Sequence, residues 1–259
     1  MKSPWKRRLL IAVLVVVALL AIPASLIASA FIGMSSLQPR EFGSDSWIKD
    51  GIVGIGVIDE GGGRIALIDA GNDPDGKVIL AELARRHLTA DAVRDIFLTH
   101  GHPDHTGAAH LFPAAHVYIG VGDAALAQGR DGSHGPLTHF FGPHDSHIAQ
   151  LVAVPSNQEL TAGEKKVWMF MLPGHTAGSS AFLVDGLLFL GDSAGLDSHG
   201  KLRGAPYAMS DSQSENRASL RRLADEIRAS HLEVKAMLPA HSGTSDSAQP
   251  LFDFAAANR

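Results

Sequence analysis

The sequence predicts an α/β fold on three observations. Short apolar runs alternate with helically spaced segments along the chain, glycine-rich turns separate them, and the 259 residues, 45% of them apolar, suffice for one large domain or two small ones. Neither a disordered nor a fibrous chain has this composition. The absence of cysteine removes disulfide frameworks, thiolate metal sites and cysteine nucleophiles together. His, Asp and Glu remain as the strong metal ligands, and the chain holds 14 histidines.

The first element is an N-terminal hydrophobic helix. Lys2, Lys6, Arg7 and Arg8 precede Leu9 to Gly33, which contains no charged residue, and a helix of about 20 apolar residues suffices to span a bilayer. Residues 1–33 are therefore expected to be a membrane anchor. A secretory signal peptide, with secretion after cleavage at Ala30 in Ala28-Ser29-Ala30, is the rival. The basic residues before the span place the start in the cytoplasm and the body outside it, periplasmic or extracellular. Removing those four cations takes the formal net charge from −5 to −9 for the remainder, so no nucleic-acid partner is expected.

Residues 34–46, rich in Ser with Pro39 and Gly43, read as a linker into a domain over 47–259. Gly51 to Ile58 and Arg64 to Asp69, joined by Gly61-Gly62-Gly63, form a predicted hairpin. Lys77 to His87 has helical spacing; strands are expected at Asp95 to Thr99 and Ala115 to Gly120, with a short helix over Gly122 to Gln128. Gly129 to His147 is a long polar loop, and loops of that length are often functional. Lys166 to Met171 and Ser180 to Leu190 are predicted strands around a turn. Ser212 and Glu215 have capping-box spacing ahead of Leu220, Leu223 and Ile227, which predicts a helix over Ser214 to His231; a last strand follows near Val234 to Leu238.

Chemistry concentrates in Thr99-His100-Gly101-His102-Pro103-Asp104-His105-Thr106-Gly107, which places three imidazoles and a carboxylate in six consecutive positions after a strand. Gly101 and Pro103 prevent a regular element from continuing, so successive side chains turn towards one point, where imidazole nitrogen suits zinc and carboxylate suits zinc or iron. His-x-His-x-Asp-His after a strand resembles the motif of the metallo-β-lactamase superfamily. Leu172 to Gly178 around His175, Phe189 to Ser193 around Asp192, and Leu238 to Gly243 around His241 resemble its later motifs, in the same order and at strand ends.

The resemblance implies a four-layer αββα sandwich. It also implies one metal held by His100, His102 and His175, a second held by Asp104, His105 and His241, and Asp192 bridging them. Asp69 matches the family's early strand-end aspartate, which supports the site from behind its ligands; Tyr207 falls where the family places pocket walls and is a candidate oxyanion donor. With two zinc ions the implied activity is hydrolysis of a carbonyl or phosphoryl ester, by a hydroxide held between the metals. Asp104 is the candidate catalytic group that accepts or orients the nucleophile's proton. The partner is then a small molecule: a lactone, thioester, phosphoester or β-lactam.

The second histidine set with the bridging aspartate resembles glyoxalase-II-like thioesterases and lactonases more than true β-lactamases. The chain ends soon after His241, so a glutathione-binding helical domain like that of glyoxalase II is not expected. The alternative is an iron oxidoreductase resembling the persulfide dioxygenases, with one Fe. Flavodiiron chemistry is excluded, because those proteins have Glu where this chain has His102. A sensor or scaffold would not need a complete ligand set. His134, His139, His144 and His147 in the long loop read as solvated, or as lining the substrate entrance or collecting metal; His110 and His116 read as packing or surface residues.

Overall fold

The computed structural model describes residues 4–258 and divides into two compact units, residues 1–33 and 34–259. The first is a single helix, α1 (Pro4–Phe31), whose first turns carry Lys6, Arg7 and Arg8; Lys2 lies outside the described residues. The expected membrane anchor, and with it the placement of the body outside the cytoplasm, is corrected here. Among the described residues no helix is long and apolar enough to cross a membrane. Leu9 to Gly33 carries no charge, and its second part is rich in alanine and serine with Pro23. Cleavage after Ala30 is likewise without support.

The second unit opens with the mixed sheet that carries the first half of the site. Its strands are β1 (Arg40–Phe42), β2 (Asp45–Asp50), β3 (Val53–Gly61), β4 (Arg64–Ile68), β5 (Val93–Leu98), β6 (His116–Gly120) and β7 (Leu151–Val154), in that spatial order. β1 to β4 run antiparallel, and β4 to β7 are parallel. Crossovers between parallel strands carry α2 (Lys77–Arg85), α3 (Pro103–Thr106) and α4 (Ala124–Ala127).

A second sheet has the order β14-β11-β10-β9-β8, from β8 (Gln158–Ala162), β9 (Lys165–Met171), β10 (Ser180–Val184), β11 (Leu187–Gly191) and β14 (Ala236–Pro239). A small ribbon of β12 (Ala194–Leu196) and β13 (Leu202–Gly204) follows β11. α5 (Gln213–Ala229) and α6 (Gln249–Ala257) complete the unit. The expected strand over Ser180 to Leu190 is two strands. Asp185 and Gly186, at φ 53° and 85°, form a two-residue turn between them, an Asp-Gly break between two apolar runs of the kind that joins hairpin strands. Ser212 caps α5 as its spacing predicts, its hydroxyl accepting from Glu215 N–H at 3.2 Å.

Period-two alternation sends successive side chains into different layers. On β4, Ile65 and Leu67 join a core with Ile79 and Leu83 of α2, while Ala66 and Ile68 face Phe182 and Phe189 of the other sheet. On β10, Phe182 and Val184 fill the space between the sheets, while Ala181 and Leu183 pack with Leu220, Leu223 and Ile227 of α5. Three cores therefore separate four layers, helix, sheet, sheet and helix.

Residues 34–46, read as a linker, belong to the second unit. Ser35 N–H donates to Leu196 O at 2.9 Å, its carbonyl accepts from Gly243 N–H at 3.2 Å, and β1 pairs with β2. A short polar side chain that bonds backbone is at home in such a segment as well as in a solvated linker, so composition alone did not separate the two.

Two buried polar groups give this fold measurable properties. Asn216 of α5 accepts from Ala205 N–H at 3.0 Å and donates to Ser193 O at 2.9 Å, so Asn216→Ala strands two backbone groups. A loss of about 2 kcal/mol is expected, read as a lower denaturant midpoint at unchanged slope. Glu60, at the end of the sheet remote from the carboxyl termini of β4 and β5, is pushed up from 4.5 to about 7 by burial and by the Asp95 carboxylate, which Arg64 only partly offsets. His116 and Tyr118 face Asp95 from β6, and burial raises Asp95 as well. The folded chain then keeps a proton that the unfolded chain releases, so stability falls as pH rises from about 4.5 through 7. Glu60→Gln should flatten that slope in urea midpoints measured between pH 5 and 8.

Candidate metal centre

Five strand ends converge on one place. β4 delivers Asp69, β5 delivers Thr99 and His100, the turn after β9 delivers His175, β11 delivers Asp192, and β14 delivers His241. Two backbone bonds join neighbouring ends there: Ser180 N–H reaches Thr99 O at 2.7 Å, and Ala240 N–H reaches Gly191 O at 3.1 Å. His102 precedes the single turn of α3, in which Pro103 takes the first position that tolerates it, and the turn brings Asp104 and His105 back towards His100. Left-handed backbone at Gly191, φ 52°, turns the chain between β11 and Asp192, and a Cβ there would lie 2.4 Å from Thr99 Oγ1.

The seven side chains singled out as ligands fall into three overlapping groups whose ligand atoms lie within 4.8 Å of one another: His100, His102 and His175; His100, His105 and Asp192; and Asp104, His105 and His241. In the first group His100 Nε2 stands 3.0 Å from His102 Nδ1, and His175 Nε2 stands 3.2 Å from His100 Nε2 and 3.1 Å from His102 Nδ1. Donors about 2.0 to 2.1 Å from a tetrahedral ion are separated by roughly 3.3 Å, so this triangle matches the spacing that zinc requires.

The outer ring nitrogens show which way the inner ones face. Ser210 Oγ donates to Pro206 O at 2.6 Å, so it accepts from His175 Nδ1–H at 3.0 Å and leaves the Nε2 lone pair pointing inwards. Thr99 Oγ1 donates to Asp69 Oδ2 at 2.8 Å and in turn accepts from His100 Nδ1–H at 3.2 Å. His105 Nδ1 donates to Asp69 Oδ2 at 2.8 Å, and His241 Nδ1 donates to Ile52 O at 2.8 Å. Asp69 also accepts from Thr99 N–H at 2.7 Å, so its carboxylate lies behind the ligands.

Asp192 lies between the two sets. Its Oδ1 is 3.2 Å from His105 Nε2 and 3.1 Å from His241 Nε2, while Oδ2 is 3.5 Å from His175 Nε2. Asp104 Oδ2 is 3.3 Å from His241 Nε2 and 3.7 Å from His105 Nε2. His102 Nε2, His105 Nε2 and Asp192 Oδ1 are buried with no hydrogen-bond partner. The triangle of His100 Nε2, His102 Nδ1 and His175 Nε2, with His105 Nε2 and Asp192 Oδ1 beside it, is what a cation would satisfy, so the residues present fit a metal.

Charge divides the site into two halves. Burial, with the neighbouring imidazoles, holds His100 well below its ordinary range; burial also lowers His102 and brings His175 down to about 3. On the other side burial is outweighed. The carboxylates of Asp69, Asp104 and Asp192 raise His105 well above its usual value, and Asp192 and Asp104 raise His241 to about 10. Against the same opposing burial, His105 and His241 lower Asp104 to about 2 and carry Asp192 well below the carboxylate range.

Other candidates lie elsewhere. Tyr207 is 67% exposed and outside all three groups, and so are the loop histidines. His134 pairs with Asp131 at 3.3 Å, His139 Nδ1 bonds Gly135 O, and His147 pairs with Asp145 at 3.3 Å. His110 bonds Gly107 O, and His116 approaches Asp95 at 3.7 Å. Ser210 was missed from the sequence, because a serine in a polar loop has no local pattern that marks it as holding a histidine 35 residues away.

Comparison with known proteins agrees with this geometry. Hydroxyacylglutathione hydrolases resemble the chain locally: that of Shewanella loihica is 31% identical over 143 residues, covering 53% of this chain and 47% of its own, and that of Shewanella oneidensis is 32% identical over 152 residues, covering 56% and 49%. The chain thus spans about half the length of the curated relatives it matches. Among solved structures, the Rm3 metallo-beta-lactamase superposes with a TM-score of 0.65 at 18% identity, covering 89% of this chain and 94% of that one. A metallo-beta-lactamase family protein from Thermus thermophilus superposes at 0.60 and 20%, covering 83% and 79%. At such identities these two show the fold alone. The model of the metallo-beta-lactamase superfamily matches residues 49–241, which holds every ligand-type residue described above, and the chain belongs to that superfamily of metallo-hydrolases.

Proposed function

We propose that the chain is a dinuclear zinc hydrolase acting on thioesters. The observation that carries this reading is Asp192, whose two oxygens face the two halves of the site. His100, His102 and His175 would hold one cation and Asp104, His105 and His241 the other, with Asp192 shared. Cations bound there supply a nucleophile from water at neutral pH and polarise the carbonyl oxygen. Iron is the alternative metal, since carboxylate suits it as well.

The chain's own residues supply orientation and proton handling. Thr99, Asp69, Ser210 and Ile52 O hold the outer nitrogens of His100, His105, His175 and His241, so those four rings turn their inner nitrogens towards the site. Asp104 is ionised at neutral pH, and its side chain is 30% exposed where that of Asp192 is 7%, so Asp104 is the carboxylate that incoming solvent reaches. It is placed to accept or orient the proton of an attacking water. The thioester class is supported by the hydroxyacylglutathione hydrolases among the relatives.

The full-length protein should contain about two zinc ions per chain and hydrolyse S-acyl thioesters in preference to lactones, phosphodiesters and β-lactams. Chelation should abolish turnover and zinc should restore it. One iron per chain, with oxygen uptake on a persulfide and no hydrolysis, would overturn the reading. Asp192→Ala is expected to lower metal content and cut kcat/KM by roughly 100-fold or more, since both cations lose their shared anion. Full activity at unchanged stoichiometry would refute the shared role.

A further inference from the structure

We propose that Asp123 is a positioning residue that sets the geometry of the three-histidine site through the backbone of both loops that form it. The proposal rests on reading His100, His102 and His175 as metal ligands. Asp123 stands immediately before α4 and is 1% exposed. Its Oδ2 accepts from Gly101 N–H at 2.8 Å and from Thr176 Oγ1–H at 2.6 Å, and its Oδ1 accepts from Gly178 N–H at 2.6 Å.

Gly101 is the residue between His100 and His102, and Thr176 directly follows His175. One carboxylate therefore ties the loop at the end of β5 to the turn after β9, across the gap between the two sheets. A ligand triangle with edges of 3.0 to 3.2 Å tolerates little drift, because metal-binding geometry is productive only within about 0.5 Å. The carboxylate itself has no room to move. A Cβ on Gly178 would come within 2.3 Å of Asp123 N, and one on Gly122 within 2.6 Å of Ala177 C, so the two backbones are in close contact.

The chemistry calls for aspartate. Three donors converge on two oxygens, and an ionised carboxylate is the side chain of this size that accepts at both ends. Asparagine has the same shape but turns one acceptor into a donor. With its oxygen on Gly101 and Thr176, its NH2 opposes Gly178 N–H; flipped, it opposes Gly101 N–H. Thr176 has a second partner in Ser179 Oγ at 2.6 Å, so Thr176→Val removes that bond and one of the three to Asp123, and leaves those from Gly101 and Gly178 in place.

The test is zinc affinity, measured on the full-length protein by chelator competition at each site alone. His241→Ala leaves the three-histidine site to be titrated, and His102→Ala leaves the other. Asp123→Asn should weaken zinc roughly 10- to 100-fold in the His241→Ala background and by less than about twofold in the His102→Ala background, with Thr176→Val smaller in the same sense. Leu223→Ala, a core truncation under α5, is the stability control, and at an equal or larger loss of Tm it should leave both affinities unchanged.

Wild-type affinity in Asp123→Asn, or losses at both sites that Leu223→Ala reproduces at matched Tm, would overturn the proposal. If Asp123→Asn does not fold, Thr176→Val decides by the same split. Thioester turnover is read separately. A wild type that binds two zinc ions and cleaves no thioester overturns the proposed function while the affinity split still decides Asp123; a wild type that binds no metal overturns both.

Discussion

An imidazole has two nitrogens, and whichever one carries the proton cannot serve as a ligand, so the site depends on where four protons are held. Asp69 settles two of them. By accepting the Thr99 hydroxyl proton it makes that oxygen an acceptor for His100, and by accepting from His105 it turns that ring's free nitrogen towards Asp192. Its backbone sits at φ 63°, a region that aspartate and asparagine visit more readily than other non-glycine residues. Conformation at the end of β4 thus reaches the site as proton direction. Ser210 and the carbonyl of Ile52 do the same for His175 and His241.

Two halves built from similar side chains differ in charge because their neighbours differ. The rings around His100 and His175 are surrounded by buried imidazoles and stay neutral, whereas three carboxylates surround His105 and His241 and draw positive charge towards them. Positive charge in the second half balances Asp104 and Asp192 before any metal arrives, and a cation entering there takes the place of protons. In the first half it enters against no such competition. Asp192 lies between them, with Oδ1 towards His105 and His241 and Oδ2 towards His175.

Much of the fold and of the ligand set was legible because both reside in short contiguous signals. His100 to His105 is a six-residue cluster, the segments at His175, Asp192 and His241 each follow an apolar strand, and helix α5 announces itself through Ser212 and its apolar spacing. Residues that act across the fold were not legible. Ser210 and Asp123 hold ligands from distant positions and look, locally, like ordinary loop residues. β8, Gln-Glu-Leu-Thr-Ala, is partly exposed and lacks a clear apolar run; β7 is apolar but only four residues long, and β10 and β11 are separated by no more than the two-residue Asp185-Gly186 turn. The N-terminal stretch reads as a span from its freedom from charge, whereas no helix among the described residues is long and apolar enough to cross a membrane.

The opening residues of the second unit are fastened at Ser35 to Leu196, beyond Asp192, and to Gly243, beyond His241. Ser242 Oγ adds a bond to Leu196 N–H at 2.9 Å, closing the knot between the two ligand-bearing loops. In mechanical terms residue 34 is not a slack end. A pull applied there is borne first by the loops that carry Asp192 and His241, ahead of any strand of the large sheet. An attachment point for a label, surface or fused domain at this position is therefore a handle on the metal centre, whereas one placed after α6 loads a helix packed against the opposite side of the second sheet.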